Sequence, residues 1–102
     1  MNNLIVGNLE ISASDLPDKI SWNDIPSAIE ALGGNGWRLP TEEEFATLYH
    51  LFKKGTIVFK GEKYWASSFY QNYAWYYDLS VGYSPHILLK TEKCYVRLVR
   101  SI

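Results

Sequence analysis

The sequence is poor in cysteine, in net charge of either sign and in long apolar runs, and each shortage closes off a class of protein. One cysteine, Cys94, among 102 residues excludes an intramolecular disulfide framework. With only His50 and His86 to join it, no zinc set can be assembled either. Ten basic and eleven acidic residues leave a net charge of −1. That balance gives no footprint of a nucleic-acid binder and no polybasic patch for a membrane. No segment approaches the ~20 apolar residues of a membrane span. The opening Met1-Asn2-Asn3-Leu4-Ile5-Val6-Gly7 has neither the basic start nor the apolar core of a signal peptide. The chain as written is therefore expected to be soluble, with the cytoplasm favoured and its true localisation left open. There is no internal repeat, linker or low-complexity segment, and the length suits one domain over residues 1–102.

Aromatic residues are what the chain has in quantity: four Trp, eight Tyr and four Phe, 16% of the whole. Such a load favours pleated, half-buried packing or a surface on which something stacks.

The stretch Gly36-Trp37-Arg38-Leu39-Pro40-Thr41-Glu42-Glu43-Glu44-Phe45 organises the rest, joining a loop to a strongly signalled helix. Thr41 and Glu44 form a capping box, in which the hydroxyl takes one orphan N–H and the carboxylate reaches back to another. Three successive glutamates sit where the helix dipole favours negative charge. Phe45, Leu48, Tyr49 and Phe52 then give one apolar face, and Gly55 ends the helix after Lys53 and Lys54. Upstream, Ser21 is placed to cap a shorter helix of roughly ten residues, with Ile25, Ala28, Ile29 and Leu32 as its buried stripe and Gly33-Gly34 as its stop.

Elsewhere the pattern is of strands. Residues 4–13 suggest one strand or a broken pair, and Asp15-Leu16-Pro17-Asp18 is turn chemistry. After the second helix, Thr56–Lys60, Tyr64–Phe69, Tyr73–Ser80, His86–Lys90 and Cys94–Arg100 are strand candidates separated by turn residues. A strand, two helices and a meander make an α+β fold with an antiparallel sheet.

The Gly36–Phe45 stretch, then Tyr64-Trp65-Ala66-Ser67-Ser68, Ala74-Trp75-Tyr76-Tyr77 and the closing Tyr95-Val96-Arg97-Leu98-Val99-Arg100 together resemble the domain at the C-terminus of the Legionella collagen-like adhesin. That is a bacterial and phage family mostly without assigned function. Ser21-Trp22-Asn23-Asp24 fits the same layout, so the resemblance runs from about residue 20 to the end. The family is similar in fold to the formylglycine-generating enzyme domain and related to C-type lectin-like domains. The resemblance implies a C-type lectin-like fold, two helices packed on a twisted antiparallel sheet, whose loops present a ligand surface.

In that frame Trp37, Arg38, Pro40, Thr41, Glu44, Trp65, Trp75, Arg97 and Arg100 are structural. A guanidinium cannot shed its charge, so Arg38 must find carboxylates or carbonyls. It is expected to tie the entrance of the second helix to the sheet while Trp37 fills the core beneath. The binding candidates lie in Tyr70–Tyr83: Tyr70, Asn72, Tyr73, Tyr76, Asp78 and Tyr83, where rigid rings supply area and polar tips supply hydrogen bonds. Along the strand, Trp75, Tyr77 and Leu79 would share one face and Tyr76, Asp78 and Ser80 the other. The competing account makes most of these rings core and cross-strand pairs.

No catalytic residues are expected. Ser67 and Ser68 lack a nucleophile elbow and an identifiable base, and nothing pairs Cys94 with His50 or His86. The enzymatic relatives use a cysteine pair in a longer domain. Trp22-Asn23-Asp24 matches a lectin tripeptide, but it opens a helix rather than following a calcium loop, and no oxygen-rich cage is in sight. Lys53, Lys54, Lys60 and Lys63 read as a helix end and a polar hairpin tip. The expectation is thus a cofactor-free, metal-free, non-catalytic module. It would bind an unidentified protein or carbohydrate ligand, or serve as an assembly domain of a phage or surface homo-oligomer.

Overall fold

The computed structural model describes residues 2–102. Two helices stand among short antiparallel ladders, an α+β architecture. The chain runs β1 (Leu4–Val6), β2 (Leu9–Ile11), β3 (Ile20–Ser21), α1 (Ile25–Ala31), α2 (Glu42–Lys53), β4 (Tyr64–Tyr70), β5 (Tyr73–Tyr77), β6 (His86–Leu89), β7 (Lys93–Cys94) and β8 (Val99–Ser101). The strands form three sheets rather than the single twisted one expected: β1-β2-β8, β3-β7 and β4-β5-β6. Of two isolated bridges, Tyr64 to Tyr95 joins β4 to the residue after β7, and Arg38 to Val99 adds the segment before α2 to β8.

Residues 4–13 resolve into the broken pair. Val6 and Leu9 face each other across a two-residue turn, and Gly7, at φ 60°, supplies the left-handed residue that such a hairpin needs. The first helix differs from its expected form in detail. Trp22–Asp24 is a 3-10 turn, and only Ile25–Ala31 is α-helical. Ser21 donates to the Asp24 carboxylate at 2.9 Å rather than capping a backbone N–H. Pro26 falls in the first turn, where its missing N–H costs nothing.

In α2 every local signal is realised. Thr41 Oγ1 accepts from Glu44 N–H at 3.2 Å, and Thr41 N–H donates to Glu44 Oε1 at 2.9 Å. Phe45 and Leu48 are buried, and Phe45 stacks on Tyr77 of β5 with ring centroids 4.4 Å apart.

Two of the expected strands behave otherwise. Thr56–Lys60 forms no strand; its backbone instead serves side chains, Val58 C=O accepting from Arg97 and Lys60 N–H donating to the Tyr64 hydroxyl. Cys94–Arg100 is divided among partners. Cys94 pairs with β3, Val96 and Leu98 accept from Leu16 and Ser12, and Val99 pairs with β2.

The β4-β5-β6 sheet lies between two hydrophobic clusters. Tyr64, Ala66 and Tyr77 point into one, with Phe45, Leu48, Ile11 and Val99. Trp65 and Ala74 point into the other, with Ile25, Leu39, Cys94 and Val96. Period-two alternation of a strand feeds both sides.

Candidate binding surface

β4 and β5 are joined by a two-residue turn, Gln71-Asn72, with Tyr70 paired to Tyr73. Gln71 takes a left-handed backbone, φ 53°, which costs a residue with a Cβ about 1 kcal/mol. Tyr73 pairs in turn with Leu89 of β6, and Trp75 with Ile87. Directly opposed residues share a face, as do alternate residues of one strand. Tyr70, Tyr73, Trp75, Ile87 and Leu89 therefore lie on one side of the sheet. Tyr77 lies on the same side, and there α2 covers it. The sheet outruns the helix: toward the hairpin tip Tyr70 is 69% exposed, Tyr73 42%, Ile87 58% and Leu89 43%.

The six expected contact residues are not brought together as one set. Tyr70, Asn72 and Tyr73 gather at the tip, all exposed. Tyr83 is exposed beside α2, its ring 5.0 Å from that of Tyr49. Tyr76 is on the opposite face, half-buried, stacked on His86 at 5.3 Å and overlain by Lys63. Asp78 is spent locally, its Oδ1 accepting from both N–H and hydroxyl of Ser80 at a 3-10 turn, Leu79–Val81. The strand ends at Tyr77, so the alternation expected to carry Asp78 and Ser80 to one face stops before reaching them.

Ile87 and Leu89 are the residues that sequence reasoning missed. His86-Ile87-Leu88-Leu89 is apolar at three successive positions, and such a run reads equally as a strand buried on both faces. Phe69, on the other side of the sheet, is 60% exposed yet leans on Trp22 under Lys90.

The framework residues have these places. Arg38 forks onto Glu44 at 2.7 and 2.8 Å and donates to Ser101 at 2.9 Å, while its backbone pairs with Val99. Trp37 is half-buried and flanks the second cluster instead of filling it, with the Arg100 guanidinium 4.4 Å above its ring. Arg100 also donates to Glu10 at 2.9 Å. Pro40 is fully buried and its carbonyl accepts from Ser67 N–H. Trp65 is wholly buried, its indole N–H donating to Ile20 C=O at 2.9 Å. Trp75 packs half-buried against the first cluster. Arg97 is buried against Asp15 at 2.9 Å.

A separate cleft of about 510 Å³ opens between α1 and the entrance of α2, lined by Trp22, Ile25, Pro26, Ile29 and Leu39. It shares no residue with the aromatic face, and its one charged lining residue, Arg38, is already held by Glu44. Cys94 is fully buried, and burial pushes its thiol up to about 12, which holds it protonated at neutral pH. Among the described residues no group of three His, Cys, Asp or Glu could hold a metal ion. No helix there is long and apolar enough to cross a membrane.

No curated protein matches the chain. A family model does: that of the Lcl C-terminal domain fits residues 10–100, a span that takes in the Arg38–Glu44 latch, the β4–β5 hairpin and the β6 edge. The chain belongs to the Lcl C-terminal domain family.

Proposed function

We propose that this domain is a non-catalytic binding module of C-type lectin-like design that offers the open half of its β4-β5-β6 sheet to a protein or glycan ligand. Membership of the Lcl C-terminal domain family suggests an adhesin-like or structural domain. The observation that carries the proposal is the uncovered run of Tyr70, Tyr73, Ile87 and Leu89 on one sheet face. Flat rings of this kind stack on sugar faces or fill pockets in a partner protein. Asn72 and Gln71, exposed between the two tyrosines, add hydrogen-bonding groups. Nucleic acid and membrane are disfavoured as partners by the balanced charge. Chemistry is disfavoured by the buried, protonated Cys94 thiol.

The test is a glycan array and a pull-down with the wild-type chain beside the double variant Tyr70→Ala/Tyr73→Ala. Loss of two anchoring rings should weaken any ligand by about 2 kcal/mol, roughly thirtyfold, while the melting temperature stays close to wild type. A ligand that binds both chains alike removes the site from this face.

A further inference from the structure

β6 is the outer strand of its sheet, and the main-chain groups it leaves free form a particular pattern. Lys90 N–H donates to Asn72 C=O at 2.9 Å. With the pairings Ala74–Leu88 and Tyr76–His86, this fixes the parity: even-numbered residues of β6 turn their main chain toward β5, and Ile87 and Leu89 turn theirs away. The alternation extends one residue further back. His86 N–H faces β5, so across the trans peptide before it the Pro85 C=O faces outward. Of the outward groups, Leu89 C=O is already taken by Glu92 N–H at 3.0 Å, and Pro85 has no N–H to offer. What remains is Ile87 N–H, Ile87 C=O, Leu89 N–H and Pro85 C=O.

This set is its own complement about a two-fold axis through residue 87. Against an antiparallel second copy, Ile87 exchanges both bonds with its counterpart, and Leu89 N–H meets the Pro85 C=O of the other chain, reciprocally. Every outward group is used, and none that is missing is required. Centring the axis on Leu88 would ask the occupied Leu89 C=O for another bond and would set His86 against Lys90. We propose that a second copy of this chain docks on β6 in the first register, extending two three-stranded sheets into one of six strands.

The side chains agree with that register. Ile87, more than half exposed, meets Ile87 of the second copy, and Leu89 meets Pro85. No residue from Pro85 to Leu89 is Lys, Arg, Asp or Glu, so the edge lacks the inserted charges that usually guard an exposed strand. Such isologous pairing is the commonest closed symmetry. The contact is one strand edge, at the small and weak end of interfaces, and a dissociation constant on the order of 100 µM is the value around which the experiment is set. The inference goes beyond the ligand proposal and does not rest on it. It would set two aromatic faces side by side on one platform.

The experiment is sedimentation velocity on the full chain across a concentration series spanning that constant, with Ile87→Lys and Ile87→Glu as variants. Residue 87 is at the surface, so both should keep the wild-type near-ultraviolet circular dichroism. The wild type should dimerise, and each variant, facing its own charge across the axis, should associate about tenfold more weakly. An equimolar mixture of the two should recover association, because Lys then faces Glu; an unfolded or merely destabilised pair would not recover. A wild type that stays monomeric overturns the proposal, even if an extended peptide pairs with β6 instead. So does a variant that dimerises like wild type, or a mixture that fails to recover. Ile87 borders the proposed ligand face as well, but every outcome here reads self-association without ligand, so the ligand site stands or falls on the Tyr70→Ala/Tyr73→Ala test alone.

Discussion

Asp15 holds together parts of the chain that are far apart in sequence. Its carboxylate accepts from Arg97 Nε at 2.9 Å, the Tyr64 hydroxyl at 2.8 Å and Lys60 Nζ at 3.0 Å. The side chains of Asp15 and Arg97 are both 7% exposed, so two charges have been taken out of water and depend on each other. Burying such a pair is close to neutral against an apolar replacement, but removing one member strands the other. Asp15→Ala should therefore lower the unfolding free energy by about 3–5 kcal/mol, measured by urea denaturation. The double variant Asp15→Leu/Arg97→Met should lose clearly less, and equal losses would refute the coupling. Half of this site was legible beforehand. The family resemblance marks Arg97 as structural, and a guanidinium among apolar residues needs a partner. Nothing in Asp15-Leu16-Pro17-Asp18 distinguishes Asp15 from Asp18, because what selects it is a guanidinium 82 positions away.

At the scale of elements, α2 and the β4-β5-β6 meander were readable because their signals or their partners are local, whereas the division of the strands into three sheets was not, because it depends on pairings between distant segments. Glu44 shows how a local signal acquires a second use. It closes the capping box and also receives both arms of Arg38, so one carboxylate fixes the helix start and anchors it to β8 through Ser101. The Arg38 guanidinium beside it, aided by Thr41 N–H and opposed by partial burial, holds the Glu44 carboxyl below its ordinary 4.5. A carboxyl whose folded value is depressed adds stability that is complete above its unfolded value and is lost as pH falls through the folded one. Glu44→Gln should accordingly be less stable than wild type near neutral pH, and the deficit should shrink once pH drops below 4.5. Denaturation of both chains at a series of pH values measures this; a deficit that ignores pH would mean that shape, not charge, holds the latch. Thr56–Lys60 illustrates the opposite case. Its β-branched and aromatic composition predicts a strand, but Phe59 packs its ring in the first cluster while the backbone answers Arg97 and Tyr64. The composition reports burial, and burial here comes without a ladder.

Over the whole molecule, the feature hidden from the sequence is that one sheet serves two cores. Tyr64 and Ala66 alternate with Trp65, and Tyr77 lies across from the side that takes Ala74. Neither cluster can be opened without moving the strands that line the other. Tyr64 ties the arrangement further, since it bonds Asp15 and bridges to Tyr95. Cys94 is the reporter this arrangement provides. It sits fully buried in the second cluster, paired to β3, with its thiol pushed up to about 12 by burial. At about pH 8 a thiol reagent can reach it only after an opening that exposes it and restores an ordinary thiol pKa near 8.5. If both clusters open together, the free energy of opening derived from the labelling rate should equal the free energy of unfolding from urea. Trp37 fluorescence is unsuitable as the comparison probe, because that ring is half-exposed at the margin of the second cluster; far-ultraviolet circular dichroism reports the whole fold. A labelling free energy lower by more than about 2 kcal/mol would place Cys94 in a unit that opens by itself. The second cluster would then be a separate cooperative block, and the sheet a hinge between two cores rather than their common wall.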